Sequence, residues 1–224
     1  MLMILRLALA AILLLVPVGL SPALAETAEP SAAQSHEQAV TAPVGKFIQN
    51  LGDQAISVLA NKSLALDQRS DRFRQMLNTA FDLPTIGRFV IGRSWNAATA
   101  AQQQEYMHLF EELMIKTYGD RMALYTGEGF QVTGVRPESD KDFIVVSEIT
   151  HPDGSEPTSV DWRVRKKDGK LGIIDVVVEG VSMSVTQRQE YASIIQHDGG
   201  KLDGLLTLMR QQVQGPAAAG NQPG

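Results

Sequence analysis

The residues best placed for covalent chemistry lie in one stretch, Gly180-Val181-Ser182-Met183-Ser184, which follows a strand-like run and precedes a helical pattern. A serine at a strand-to-helix corner has the setting of a nucleophile elbow, where a tight turn lifts the hydroxyl above a sheet. That pattern needs glycine two residues after the nucleophile, and Ser184 stands there, so the stretch reads as a corner with a helix cap from Ser184 or Thr186. Asp175 and Glu179 are a candidate acid/base pair, but four residues along one strand separate their backbones by ~13 Å, beyond the ~5 to 9.5 Å of glycosidase carboxylates. Asp175 is instead expected to accept hydrogen bonds from backbone or from a neighbouring arginine, because a carboxylate in an apolar strand must be satisfied. The histidines, His36, His108, His151 and His197, are scattered over a leader, a helix, a turn and a helix end without ligand spacing. No catalytic residue, metal site or cofactor site is expected.

The strand that ends at this corner runs from Leu171 to Val178 and is apolar except at Gly172 and Asp175. Simple alternation points Ile174, Val176 and Val178 to one face and Leu171, Ile173 and Val177 to the other. A strand apolar on both faces must be covered on both, by protein or by protein and an apolar ligand.

The rest of the chain supplies that cover. Thr41 and Pro43 are expected to open a first helix with Val44, Phe47, Ile48, Leu51, Ala55, Val58 and Leu59 on one side. Asp67 is the expected N-cap of a second helix, which Leu83-Pro84 stops, and Pro84 begins a short third one up to Gly92. Thr99 with Gln102 forms a capping box ahead of a long helix carrying Tyr106, Leu109, Phe110, Leu113, Met114, Tyr118, Met122 and Tyr125. Beyond Gly127 the period becomes alternating through four segments, separated by the turn residues of 136–141, His151-Pro-Asp-Gly and Lys167-Asp-Gly-Lys. Two helices follow, parted by Gly199-Gly200. The predicted class is α+β, with helices packed on one face of a curved, mainly antiparallel sheet of about four strands.

Residues 1–25 carry the marks of a cleaved signal peptide: Arg6, an apolar run from Leu7 to Leu20, and Ala23-Leu24-Ala25. The expected product is exported, with a flexible leader over 26–42, a folded domain over 43–212 and a disordered tail over 213–224. It has no cysteine, so its core must hold it together without disulfides. A net charge of −5 disfavours nucleic acid as a partner. The basic run Arg163, Arg165, Lys166 and Lys167 reads as the solvated edge of a hairpin.

Two blocks resemble the MlaC or toluene-tolerance auxiliary family of periplasmic phospholipid-binding transport proteins. One is Arg88-Phe-Val-Ile-Gly-Arg-Ser-Trp95 with Thr99, the 102–104 glutamines, Phe110, Tyr118 and Tyr125; the other is Asp175-Val-Val-Val-Glu-Gly-Val-Ser-Met183 with the following helix and Asp203-Gly-Leu205. The similarity spans about Phe47 to Met209, and Leu171 and Ile174 stand where the family usually has a tryptophan and an aromatic. The resemblance implies a fold enclosing an apolar cavity for phospholipid acyl chains, a periplasmic location, and transfer between an outer-membrane lipoprotein with a porin and an inner-membrane transporter complex with a lipid-binding domain. The lining expected within such a cavity is Phe110, Met114 and Tyr118 from the long helix with Val145, Trp162, Val164, Ile174, Val176 and Met183 from the sheet and its corner. A carrier for hopanoids or other polycyclic lipids is the alternative within that class, and an exported adaptor protein that binds no lipid is the one outside it.

Overall fold

The computed structural model describes residues 32–61, 63–121 and 125–215. The segment read as a signal peptide, residues 26–31 of the expected leader, Met122 and residues 216–224 of the tail lie outside them. Among the described residues, seven helices and five strands follow in the order α1 (Ala32–Ala60), α2 (Leu66–Ala80), α3 (Leu83–Ile91), α4 (Ser94–Ala97), α5 (Ala100–Arg121), β1 (Gly129–Pro137), β2 (Asp142–Thr150), β3 (Thr158–Lys167), β4 (Lys170–Val178), β5 (Val181–Ser182), α6 (Met183–His197) and α7 (Leu202–Gln214). The class is the α+β expected from the period change, with one short strand beyond the four anticipated.

The strands form a single meander, β1-β2-β3-β4-β5, with every pair antiparallel. Two-residue turns join the last three. Asp168 and Gly169 (φ 51° and 77°) close the first, and Glu179 and Gly180 (φ 48° and 78°) close the second. Left-handed φ at both central residues matches the twist of paired strands. Glu179 adopts this unfavourable φ in a reciprocal clamp: its amide donates to the Ser159 carbonyl at 3.0 Å, and its carboxylate accepts from the Ser159 amide at 2.5 Å.

Two bulges reset the alternation. On β1 the pairing skips Thr133, so Phe130, Val132 and Val135 all pack in one cluster. On β4 it skips Ile174: Arg163 pairs with Asp175, and Val164 with Ile173. An extra residue on one strand shifts all later side chains by one position. Leu171, Ile173 and Val176 therefore share a cluster instead of splitting between faces as the unbroken pattern predicts.

The helix starts also differ from the sequence reading. The first helix begins at Ala32 rather than at Pro43, which sits inside it. Ala, Gln and Glu around it favour helix, and Thr41 returns its hydroxyl to the Glu37 carbonyl at 2.8 Å. At α2 the N-cap is Ala65, whose amide donates to the Gln68 side chain at 3.2 Å, and Asp67 lies within the first turn. The Thr99–Gln102 capping box forms as read, with reciprocal amide bonds of 3.0 and 3.2 Å.

α1 is seated on the edge strand β1. Gly45 and Gly52 allow this approach, since a Cβ on Gly45 would lie 3.0 Å from Val135 and one on Gly52 would lie 2.1 Å from the Phe130 ring. Between them Gln49 accepts from the Val132 amide at 2.9 Å, which satisfies an edge donor that would otherwise invite another strand. α2, α3 and α6 meet the sheet at β4. Phe81 forms a parallel bridge to Ile173, and the Asp82 amide donates to the Ile173 carbonyl at 2.9 Å. No helix among the described residues is long and apolar enough to cross a membrane.

Candidate functional site

The apolar interior is divided. One cluster joins α2, α3, α5, α6 and α7 around Val90, Tyr106, Phe110, Leu205, Leu206 and Met209. The other joins α1 and the end of α2, through Ala80, to the sheet around Val44, Ile48, Phe143, Val145, Val164 and Ile173. Among the described residues, Phe81 alone packs against both. A domain of this size usually forms one contiguous core with small satellites; among the described residues a cluster of seven buried residues lies beside one of fifteen and meets it through Phe81, which makes the boundary between them the candidate place for an apolar ligand.

Half-buried apolar side chains border each cluster. Phe73, Met107 and Met114 do so on the helical side, and Phe130, Trp162, Leu171 and Val176 on the sheet side. Trp162 is held in a fixed pose. Its indole N–H donates to the Ser147 hydroxyl at 2.9 Å, that hydroxyl donates to the Val160 carbonyl at 2.7 Å, and Phe130 meets the indole edge-on at 6.1 Å. Ser147 is fully buried, so this chain of bonds satisfies the one polar side chain on that stretch of β2 and leaves the indole's apolar body available.

The expected lining residues divide between the clusters. Val145, Trp162, Val164 and Val176 come together on the sheet, Val145 and Val164 with no exposure at all. Phe110 and Met114 belong to the helical cluster, where Phe110 stacks on Tyr106 at 5.7 Å. Tyr118 is half-buried on α5. Ile174, displaced by the bulge, and Met183, the first residue of α6, are half-buried and belong to neither cluster. Sequence reasoning passed over Phe81, whose only signal is its place between the end of a helix and the Leu83-Pro84 stop.

The helical cluster is fixed by a polar tie. The Tyr106 hydroxyl donates to the Gly87 carbonyl at 3.1 Å, locking α5 to α3, and burial pushes its phenol far above the usual range. Such a phenol stays neutral and serves packing.

The corner that resembled a nucleophile elbow is structural. Asp175 accepts from the Val176 amide at 2.9 Å, the Ser182 hydroxyl at 2.5 Å and the Ser184 amide at 3.0 Å. The backbone bonds expected of Asp175 are present, with a serine as the third donor in place of an arginine. The Ser182 oxygen also accepts from the Val185 amide at 3.1 Å, which makes Ser182 the N-cap of α6 instead of Ser184 or Thr186. Its proton points at a carboxylate, with no histidine base bonded to it.

Residues 49–211 match the family model described as MlaC protein. A Haemophilus influenzae relative, the intermembrane phospholipid transport system binding protein MlaC, is 26% identical over 138 residues, covering 60% of this chain and 64% of its own length. The toluene tolerance protein ttg2D of Pseudomonas putida is 22% identical over 155 residues, covering 68% of this chain and 72% of its own. The chain thus spans just under two thirds of the Haemophilus relative. A solved phospholipid-binding protein from Ralstonia solanacearum, in complex with a phospholipid, matches with a TM-score of 0.68 at 23% identity over 75% of this chain and 96% of its own; the likeness is one of fold.

Proposed function

The chain belongs to the MlaC family, and from that premise we propose that it is a phospholipid carrier whose apolar seam takes the acyl chains. The observation that carries the reading is the split interior, two apolar clusters bridged by Phe81 with large half-buried side chains along both borders. Met114 and Tyr118 on the helical side and Trp162 and Val176 on the sheet side contact the chains in this reading. Phe110, Val145, Val164, Ile174 and Met183 form the wall behind and beside them.

Physics sets how such a carrier works. Two acyl chains of about 15 methylenes each, at ~0.8 kcal/mol per buried methylene, give a gross term of about 24 kcal/mol. Net affinity is far smaller because ordering costs oppose it, yet escape into water remains slow. Release therefore requires an acceptor. We assign that part to an inner-membrane transporter complex with a lipid-binding domain and an outer-membrane lipoprotein with a porin, reached by a protein exported to the periplasm on its N-terminal segment. No residue acts as a catalyst in this account.

The test uses the two tryptophans. In a Trp95→Phe variant, phospholipid with brominated acyl chains should quench Trp162 saturably, and unbrominated lipid should reverse the quenching. An intact fold with unquenched Trp162 would overturn the seam as the acyl site.

A further inference from the structure

At the end of the sheet away from the corner, Thr85, Ser139, Lys141, Asp142, Arg165, Lys166, Lys167 and Asp168 surround an open polar pocket. It lies between the start of α3, the β1–β2 turn and the β3–β4 turn. The whole chain is acidic, yet four cations meet here against two carboxylates. One of those carboxylates is already used. Asp142 is buried and takes Arg165 in a two-point fork, Nε to Oδ1 and Nη2 to Oδ2, both at 2.7 Å.

That fork fixes the guanidinium and leaves its Nη1 without a bonded partner among the described residues. Ser139 is arranged in a similar way. Its oxygen accepts from the Lys141 amide at 3.3 Å and the Asp142 amide at 3.0 Å, so its proton must be donated elsewhere, and no acceptor takes it among the described residues. Lys141, Lys166 and Lys167 form no ion pair among the described residues either. A concave site with a fixed guanidinium, an uncommitted hydroxyl proton and three ammonium groups offers many donors against the one remaining carboxylate, that of Asp168. Such a set suits a compact oxyanion that accepts several charge-assisted bonds at once.

We propose that this pocket is an oxyanion site for a phosphate group, carried either by the headgroup of an anionic lipid at a membrane surface or by a soluble phosphate ester. The inference stands apart from what the apolar seam carries. A flat, acidic protein surface fits less well, because these donors line one concavity.

The experiment is a titration of the isotope-labelled mature protein with inorganic phosphate at constant pH and ionic strength, chloride being the control, read from backbone amide shifts. Phosphate should shift the 139–142 and 165–169 amides saturably. A Lys141→Gln/Lys166→Gln/Lys167→Gln variant with native-like shifts elsewhere should bind roughly tenfold or more weakly, as expected for losing charge-assisted contacts. Lys141→Gln alone should show a smaller loss. Phosphatidylglycerol vesicles that compete with phosphate, where phosphatidylcholine vesicles do not, would identify the membrane headgroup as the source; phosphate binding without that competition would identify a soluble ester. No saturable shift, or equal binding by the wild type and the triple variant, would overturn the proposal. Shifts produced by polyglutamate and not by phosphate would overturn it too, and would reassign the pocket to an acidic protein segment.

Discussion

Ser182 donates its hydroxyl to Asp175 across 2.5 Å, so a side chain in the last half of β4 holds the cap of the helix that follows. The same carboxylate takes the Val176 and Ser184 amides, tying strand, turn and helix N-terminus to one residue. Asp175→Ala removes three acceptor bonds and leaves the amide of buried Ser184 unpaired. The expected loss is roughly 2–4 kcal/mol by denaturant unfolding. Ser182→Ala loses one bond to Asp175 and the cap, about 1–2 kcal/mol. A double-mutant cycle should show strong coupling between the two, and additive losses would contradict the shared anchor.

The seat of α1 on β1 depends on its glycines. Gly52→Ala places a methyl inside the Phe130 ring's contact distance, so either the ring or the helix must move, at a cost of about 1–3 kcal/mol. Gly119→Ala in α5 is the control, because a Cβ there meets nothing within 4 Å. It should be neutral or stabilise by up to about 1 kcal/mol through helix propensity. Equal thermal shifts for the two variants would refute the close approach.

Asp142 makes stability depend on acid. Hydrogen bonds from Arg165 lower its pKa below the usual carboxylate value. A group whose folded pKa is depressed stabilises the protein above its unfolded value, near 3.9, and loses that contribution as pH falls through the folded one. Arg165 is 37% exposed, so solvent screening limits the pair, and Asp142→Asn should cost only about 1–2 kcal/mol at neutral pH. Unfolding free energies measured from pH 6 to pH 2 should converge for wild type and variant at the acid end. A constant gap would place the effect elsewhere.

A charge in the seam separates binding from folding. Val176→Asp should retain the cooperative fold with reduced stability, because half-buried Val176 borders the sheet cluster without closing it. Its lipid content should fall sharply. Lipid retained at wild-type stoichiometry would remove Val176 from the acyl site.

Much of this fold was legible because it rests on period and turn chemistry. The helical stripe of α5 as far as Tyr118, its capping box, the Asp168-Gly169 hairpin and the change to alternation beyond Gly127 are all local patterns, whereas Tyr125, read as part of that stripe, lies beyond the helix end at Arg121. The bulges are not. Nothing local in Leu171–Val178 marks Ile174 as the unpaired residue, because the slip is decided by pairing with β3, and it moved Val176 to the side of Leu171 and Ile173. The cap moved to Ser182 for a similar reason: Asp175 supplies a partner that a reading of the helix alone does not include.

The candidate site was legible in half. Alternation along β2 and β3 brought Val145, Trp162 and Val164 together, since register and face follow from hairpin turns. The division of the interior into two clusters was hidden, and with it Phe81, because composition does not show where one packed cluster ends and the next begins.

The most direct measurement is the lipid content of the mature protein purified from a bacterial periplasm without detergent, by native and denaturing mass spectrometry. The account predicts stoichiometric phospholipid, released on denaturation and absent from a matched Val176→Asp preparation. A folded wild-type protein that stays empty, even after incubation with liposomes and a candidate donor, would contradict it and return the two clusters to the role of ordinary core.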